Sequence, residues 1–120
     1  MDAAVSLGQQ FIDGVGIIPL GNEAEEAHSV GDYDANIDGL IASPLMFWAA
    51  RAGSRDDLYA KALSHALKSA EFFVQADASV IQSATFDPGT GRVSRRYTHK
   101  GIAEDSIWTR AQAWAMLGYT

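Results

Sequence analysis

Chemistry in this chain concentrates in its last third. Thr98-His99-Lys100-Gly101 is followed by Asp105-Ser106-Ile107-Trp108-Thr109-Arg110-Ala111-Gln112-Ala113-Trp114. Indole faces stack on flat apolar surfaces, and a guanidinium takes a carboxylate or sulfate with two parallel hydrogen bonds. Together with His99 and Lys100 they make a platform for an anionic sugar. Arg110 and Trp114 are four apart, so on a helix they touch and form a cation–π pair, while Trp108 points elsewhere on the wheel. The plainer reading is core packing by both indoles with one stacked Arg.

Asp38 is the second candidate, in Ala35-Asn36-Ile37-Asp38-Gly39-Leu40. At the start of a helix it reads as a cap or a first-turn acid facing the dipole. Among apolar neighbours it also reads as a carboxylic acid whose pKa is raised, able to donate a proton near neutral pH. Other titratable residues carry less. His65 is placed on a wet helix face and read as solvated. His28 has Glu23, Glu25 and Glu26 nearby, without the converging spacing a metal site needs. Arg92, Arg95 and Arg96 read as a solvated hairpin edge. No Ser nucleophile motif, phosphate loop or dinucleotide fingerprint occurs.

The elements that must position these residues are mostly helical. Residues 2–13 predict a short helix, ended by Gly14 and Gly16. Residues 15–34 predict a loop. A second helix is predicted from about 36–38 to 52, apolar all round and hence buried on most sides, with Pro44 inside it as a kink or early stop. In residues 56–74 the apolar set Tyr59, Leu63, Leu67, Ala70 and Val74 opposes Asp57, Lys61, Ser64, His65 and Lys68, which predicts an amphipathic helix with the first set buried. Val80–Phe86 and Arg92–Tyr97 flank Asp87-Pro88-Gly89-Thr90-Gly91 and predict a hairpin. A last helix is predicted over 105–117. Amphipathic and all-round apolar helices thus alternate. A toroid of helix pairs, inner ring and outer ring, gives that order more readily than a simple bundle, whose helices are all amphipathic.

The totals set bounds. The chain has 120 residues, 48% hydrophobic, net charge −6 and no Cys. That is one domain or a piece of one, with no disulfide and no thiolate metal site. The acidic balance argues against nucleic acid as a partner. No apolar run reaches the roughly 18 residues of a membrane span, so no membrane partner is expected. The N-terminal residues lack a signal-peptide pattern. A cytoplasmic location is expected, the periplasm remaining open.

Several stretches resemble the unsaturated glucuronyl hydrolases, glycoside hydrolase family 88. Ile37-Asp38 with Pro44-Leu45-Met46-Phe47-Trp48-Ala49 is similar to one family block. Phe86-Asp87-Pro88 with Thr90-Gly91 is similar to the family's hairpin. Tyr97 to Gly101, Asp105 to Trp114, and Gly118-Tyr119 are similar to a further block. The resemblance covers almost the whole chain but only about a third of a typical member, judged by two of six helix pairs. It implies an all-α fold, part of an (α/α)6 toroid, with a short β-hairpin in the 76–103 connection. It implies one partial catalytic domain over 1–120, incomplete at both ends. It implies hydration of the vinyl ether of a 4,5-unsaturated uronic acid at the non-reducing end of oligosaccharides left by lyases, without metal or organic cofactor. Asp38 matches the family's acid/base. Gln82, His99, Lys100, Trp108, Arg110 and Trp114 match its substrate-site positions. Lys100 stands where the family commonly has Gln, and Gln82 where it often has a His. The family's other essential Asp has no counterpart here, since neither Asp2 nor Asp13 lies in a matching motif. The isolated chain is therefore expected to be inactive. The alternative is a non-catalytic helical module that binds acidic sugars or self-associates through exposed inner-helix faces.

Overall fold

The structure, a computed structural model, describes residues 1–21 and 33–120. His28 and its three glutamates lie outside the described residues. Helix α1 spans Asp2–Gln9, strand β1 Tyr33–Asn36, and a 3-10 helix Ile37–Ile41. Helix α2 spans Ala42–Gly53, α3 Asp56–Phe73, β2 Ser83–Phe86, β3 Val93–Tyr97 and α4 Thr109–Gly118. Among the described residues, no helix is long and apolar enough to cross a membrane.

The expected hairpin is present, and it belongs to a three-stranded antiparallel sheet of order β1-β2-β3. The turn forms because the Asp87 carboxylate accepts from the backbone N–H of Gly89 at 3.0 Å and Thr90 at 2.7 Å. Gly91 closes it at φ 69°, a left-handed conformation that glycine adopts without steric cost. Strand β1 begins in the stretch expected to be loop and runs on to Asn36, where the second helix was expected to start. Its four residues are too few to show an alternating pattern, and pairing with β2 defines it: Asn36 faces Ser83 and Tyr33 faces Phe86.

The second helix begins differently from expectation. Asn36 caps the 3-10 turn by accepting from Gly39 N at 3.1 Å, and the α-helical part starts only at Ala42. Pro44 then lies in the first turn of α2, where a missing N–H costs nothing. The α-helical part runs on past it to Gly53. Helix α1 is also shorter than expected, ending at Gln9. The last helix starts at Thr109 instead of 105, because Trp108 is extended, with φ −104° and ψ 121°.

The burial of α3 reverses the expectation. Leu58, Ala62, His65, Ser69, Phe72 and Phe73 are buried, whereas Tyr59, Leu63, Leu67 and Val74 are exposed. The buried set follows a 4-3-4-3 spacing, which is one helix face. The neighbours that this chain supplies lie on that smaller, more polar face: Ser43 Oγ donates to Ala62 O, and Ser64 Oγ donates to Gly16 O. Helix α2 is likewise buried on one side only, with Met46 and Ala49 enclosed and Trp48 59% exposed. Two apolar clusters result. One joins the sheet, the 3-10 helix, the end of α3 and α4 through Ile37, Leu40, Phe72, Phe86 and Ala111. The other joins α1, α2 and the start of α3 through Ala4, Met46, Leu58 and Ala62.

Candidate active site

Asp38 sits in the 3-10 turn directly after β1 and is half-buried. The turn is fixed on three sides. Asn36 caps it, Ile37 N donates to the Gln82 carbonyl at 2.9 Å, and His65 Nε2 meets Gly39 O at 2.9 Å. His65 is 1% exposed, which corrects its reading as a solvated residue. Its Nδ1 accepts from Ile18 N at 3.2 Å, so the single ring proton lies on Nε2 and goes to Gly39. Burial holds its pKa below 6.5, with the Gly39 bond opposing. Ile18, α3 and the Asp38 turn are thereby joined by one neutral imidazole.

The loop after β3 carries His99 and Lys100. Gln82 is 1% exposed, and its Oε1 accepts from the backbone N–H of His99 and of Lys100, each at 3.1 Å. Its Nε2 lies 3.4 Å from His99 Nε2, and Ser83 Oγ lies 3.4 Å from His99 Nδ1. The loop closes on itself, with Thr98 N donating to Glu104 O at 2.7 Å and Thr98 Oγ1 donating to Ser106 O at 2.8 Å. A Cβ at Gly101 would press on the Ser106 and Thr98 side chains, so both would have to shift to admit one. This closed loop leads directly into Trp108.

Trp108 and Arg110 form the cation–π pair, with the guanidinium carbon 4.2 Å from the ring centroid. The expected partner was Trp114. Because Trp108 is the extended residue before α4, helical spacing does not govern it, and its ring reaches Arg110. Both indoles are half-buried against the sheet cluster, while Arg110 is exposed. The core-packing and platform readings thus describe two sides of the same rings.

The expected solvated Arg edge is partly engaged. Arg95 pairs with Glu104 and stacks over Tyr97 at 4.6 Å, and Arg96 Nε donates to Phe72 O at 2.8 Å. Behind the site lies an acid that sequence reasoning missed. Asp34 is 3% exposed and accepts from Thr85 Oγ1 and from Tyr97 OH at 3.2 Å. Burial, and then the Asp34 carboxylate, push the Tyr97 phenol up to about 12. Only the cross-strand pairing of β1 reveals Asp34, and no local motif marks it.

The geometry therefore groups Asp38, Gln82, His99 and Lys100 at one end of the sheet, through main-chain bonds from Ile37 and the 99–100 loop to Gln82. Trp108 and Arg110 follow from the same loop. Trp114 lies in the α4 interior and is not paired with Arg110.

No protein-family model matches the chain. It is 34% identical to the unsaturated glucuronyl hydrolase of Bacillus sp. strain GL1, over 99% of this chain and 31% of that protein. It resembles part of an unsaturated glucuronyl hydrolase. The unsaturated chondroitin disaccharide hydrolase of Streptococcus pyogenes serotype M1 is 32% identical over 98% of the chain and 29% of that protein. A solved unsaturated glucuronyl hydrolase specific for heparin superposes with a TM-score of 0.87 at 26% identity, covering 98% of this chain and 30% of that one. The resemblance is thus to hydrolases, and the chain spans about 30% of the length of the relatives it matches.

Proposed function

We propose that this chain is a segment of a hydrolase that removes a 4,5-unsaturated uronic acid from glycosaminoglycan-type oligosaccharides, and that it supplies one wall of the active site. The whole catalytic domain is a six-fold double ring of helices. The observation that carries the reading is the join at Gln82, which holds the Asp38 turn and the His99–Lys100 loop at one end of the sheet. An acid and a cationic loop so joined suit an anionic sugar with a reactive double bond.

Asp38 acts as the general acid/base. Its proton goes to C4 of the vinyl ether, and the positive charge that develops is shared between C5 and the ring oxygen. Asp38, now a carboxylate, takes a proton from water as the water oxygen bonds to C5. The product is a hemiketal at C5. It opens by breaking the C5–ring-oxygen bond, the anomeric carbon collapses to a free aldehyde, and the remaining sugar leaves. Arg110 and Lys100 face the sugar carboxylate or a sulfate, Trp108 supports the ring face, His99 completes this wall, and Trp114 packs with Trp108 against the sheet cluster. No cofactor enters. Asp38→Asn, introduced into the longest natural polypeptide that contains these residues, lowers turnover about 100-fold or more, the usual contribution of a general acid. Loss of double-bond absorbance of an unsaturated chondroitin disaccharide is the readout, and normal turnover would remove Asp38 from this role. The isolated chain shows little turnover in the same assay, because it holds half of the expected pair of acids.

The exposed faces of α2 and α3 favour a second reading, a non-catalytic module that associates with itself through Trp48, Leu63 and Leu67. Sedimentation distinguishes it: a single monomeric species across the accessible concentration range rules out the association.

A further inference from the structure

Gln82 makes two kinds of bond at once. Its main-chain carbonyl accepts from Ile37 N at 2.9 Å, one residue before Asp38. Its side-chain Oε1 accepts from two successive amides, His99 N and Lys100 N, each at 3.1 Å. The side chain is 1% exposed, so little of it is left to meet a ligand. Because Oε1 is committed to the loop, the amide nitrogen is the atom turned toward His99 Nε2 at 3.4 Å. An amide nitrogen can only donate, so it favours a lone pair on Nε2. The His99 ring proton then lies on Nδ1, facing Ser83 Oγ at 3.4 Å.

We infer that Gln82 is a positioning residue, not a substrate contact: it sets the spacing between the Asp38 turn and the His99–Lys100 loop, and it selects the tautomer of His99. The inference rests on the functional reading above for what His99 and Lys100 do, but the clamp itself is a property of the folded chain. Two amides held by one buried carbonyl tie the position of the loop at His99 and Lys100 to that of Gln82. Lys100 is then presented from a fixed backbone, and His99 offers its environment a defined pattern of donor and acceptor.

Two substitutions in the full 120-residue chain test this by NMR without any sugar. Gln82→Leu keeps the volume and the main-chain carbonyl but removes the side-chain acceptor. Hydrogen-exchange protection of the His99 and Lys100 amides falls about tenfold or more, the worth of such a bond, while Ile37 keeps its protection. Gln82→Glu retains an acceptor for both amides and puts a carboxylate oxygen beside His99 Nε2. Protection stays as in wild type, and the His99 titration midpoint rises because the carboxylate favours a proton there. A side chain at position 82 that is not held beside His99 Nε2 would leave that midpoint unmoved. Unchanged protection in Gln82→Leu, or an unchanged His99 midpoint in Gln82→Glu, overturns the inference. Should Gln82→Leu fail to fold, the Gln82→Glu midpoint decides alone. Adding an unsaturated chondroitin disaccharide to the wild-type chain separates the two claims. Absence of shifts at His99, Lys100 and Trp108 counts against the functional reading, and the clamp stands or falls on the sugar-free data.

Discussion

His65 shows at the residue scale how a site can depend on a group that takes no part in the chemistry. It is enclosed in α3, accepts from Ile18 and reaches Gly39 beside Asp38. A second ring proton would occupy the lone pair that Ile18 N–H uses and would place a charge where burial opposes it. The folded-state pKa therefore lies below the unfolded value of 6.5. The unfolded chain binds the proton first, so His65 contributes stability that is full above pH 6.5 and is lost as pH falls through the folded value. His65→Leu leaves Ile18 N–H and Gly39 O buried without this partner and costs on the order of 3 kcal/mol near neutral pH. Urea midpoints from about pH 7.5 to about pH 5.5 check both points. The wild type loses more stability over that range than His65→Leu, and equal slopes would show that His65 does not carry the effect. Some of the site was legible residue by residue. Asp38, His99, Lys100, Trp108 and Arg110 are types that chemistry singles out, and Gln82 entered through a resemblance. The position of His65 was not legible, because a His opposite an apolar stripe is ordinarily solvated and only the neighbouring loop makes that side the interior.

Elements set the next scale, and α4 is the one whose docking is most exacting. It rests on the 3-10 turn that carries Asp38, with Ala111 and Ala115 buried in the same cluster as Ile37 and Leu40. Gly118, at the far end of α4, permits this approach: a Cβ there would lie 2.4 Å from Leu40 Cδ2 and 2.5 Å from Leu40 Cγ. Leu40 is fully buried and cannot swing away. Gly118→Ala thus overpacks the contact and destabilises by about 1–3 kcal/mol, although alanine is the better helix former. Adding Leu40→Ala makes space, so the double variant loses less than the sum of the two single losses. Additive losses in thermal or urea unfolding would show that the two do not touch. Element types were mostly legible. The Pro-Gly turn chemistry gave the hairpin, and long apolar-periodic runs gave α2 and α3. Ends were less so. The 3-10 start of the second helix depends on the Asn36 cap, and the late start of α4 on an extended Trp108; neither is a matter of periodicity. That extension also decides which indole Arg110 meets.

Across the whole molecule, the larger apolar stripe of α3 is on the outside. Leu67 is 64% exposed and Leu63 44%, whereas Leu58 on the other face is 2% exposed. Helical periodicity reports how many faces are apolar, not which neighbour covers each one. The wheel placed Tyr59, Leu63, Leu67 and Val74 inward because it assumed that the apolar face meets this chain's own core. A chain that spans about 30% of its relatives' length need not supply every neighbour. The two faces therefore respond differently to truncation. In the 120-residue chain, Leu58→Ala removes methyl groups from a filled site and costs about 2–5 kcal/mol. Leu67→Ala removes them from solvent and stays within about 0.5 kcal/mol. In a longer polypeptide in which further helices cover this stripe of α3, Leu67→Ala becomes a core truncation with a cost comparable to Leu58→Ala. Urea unfolding of both variants in both lengths measures the difference. A Leu67 cost that stays near zero in the longer polypeptide would mean that this stripe faces water there too, and that α3 belongs to the outer layer with its smaller face inward.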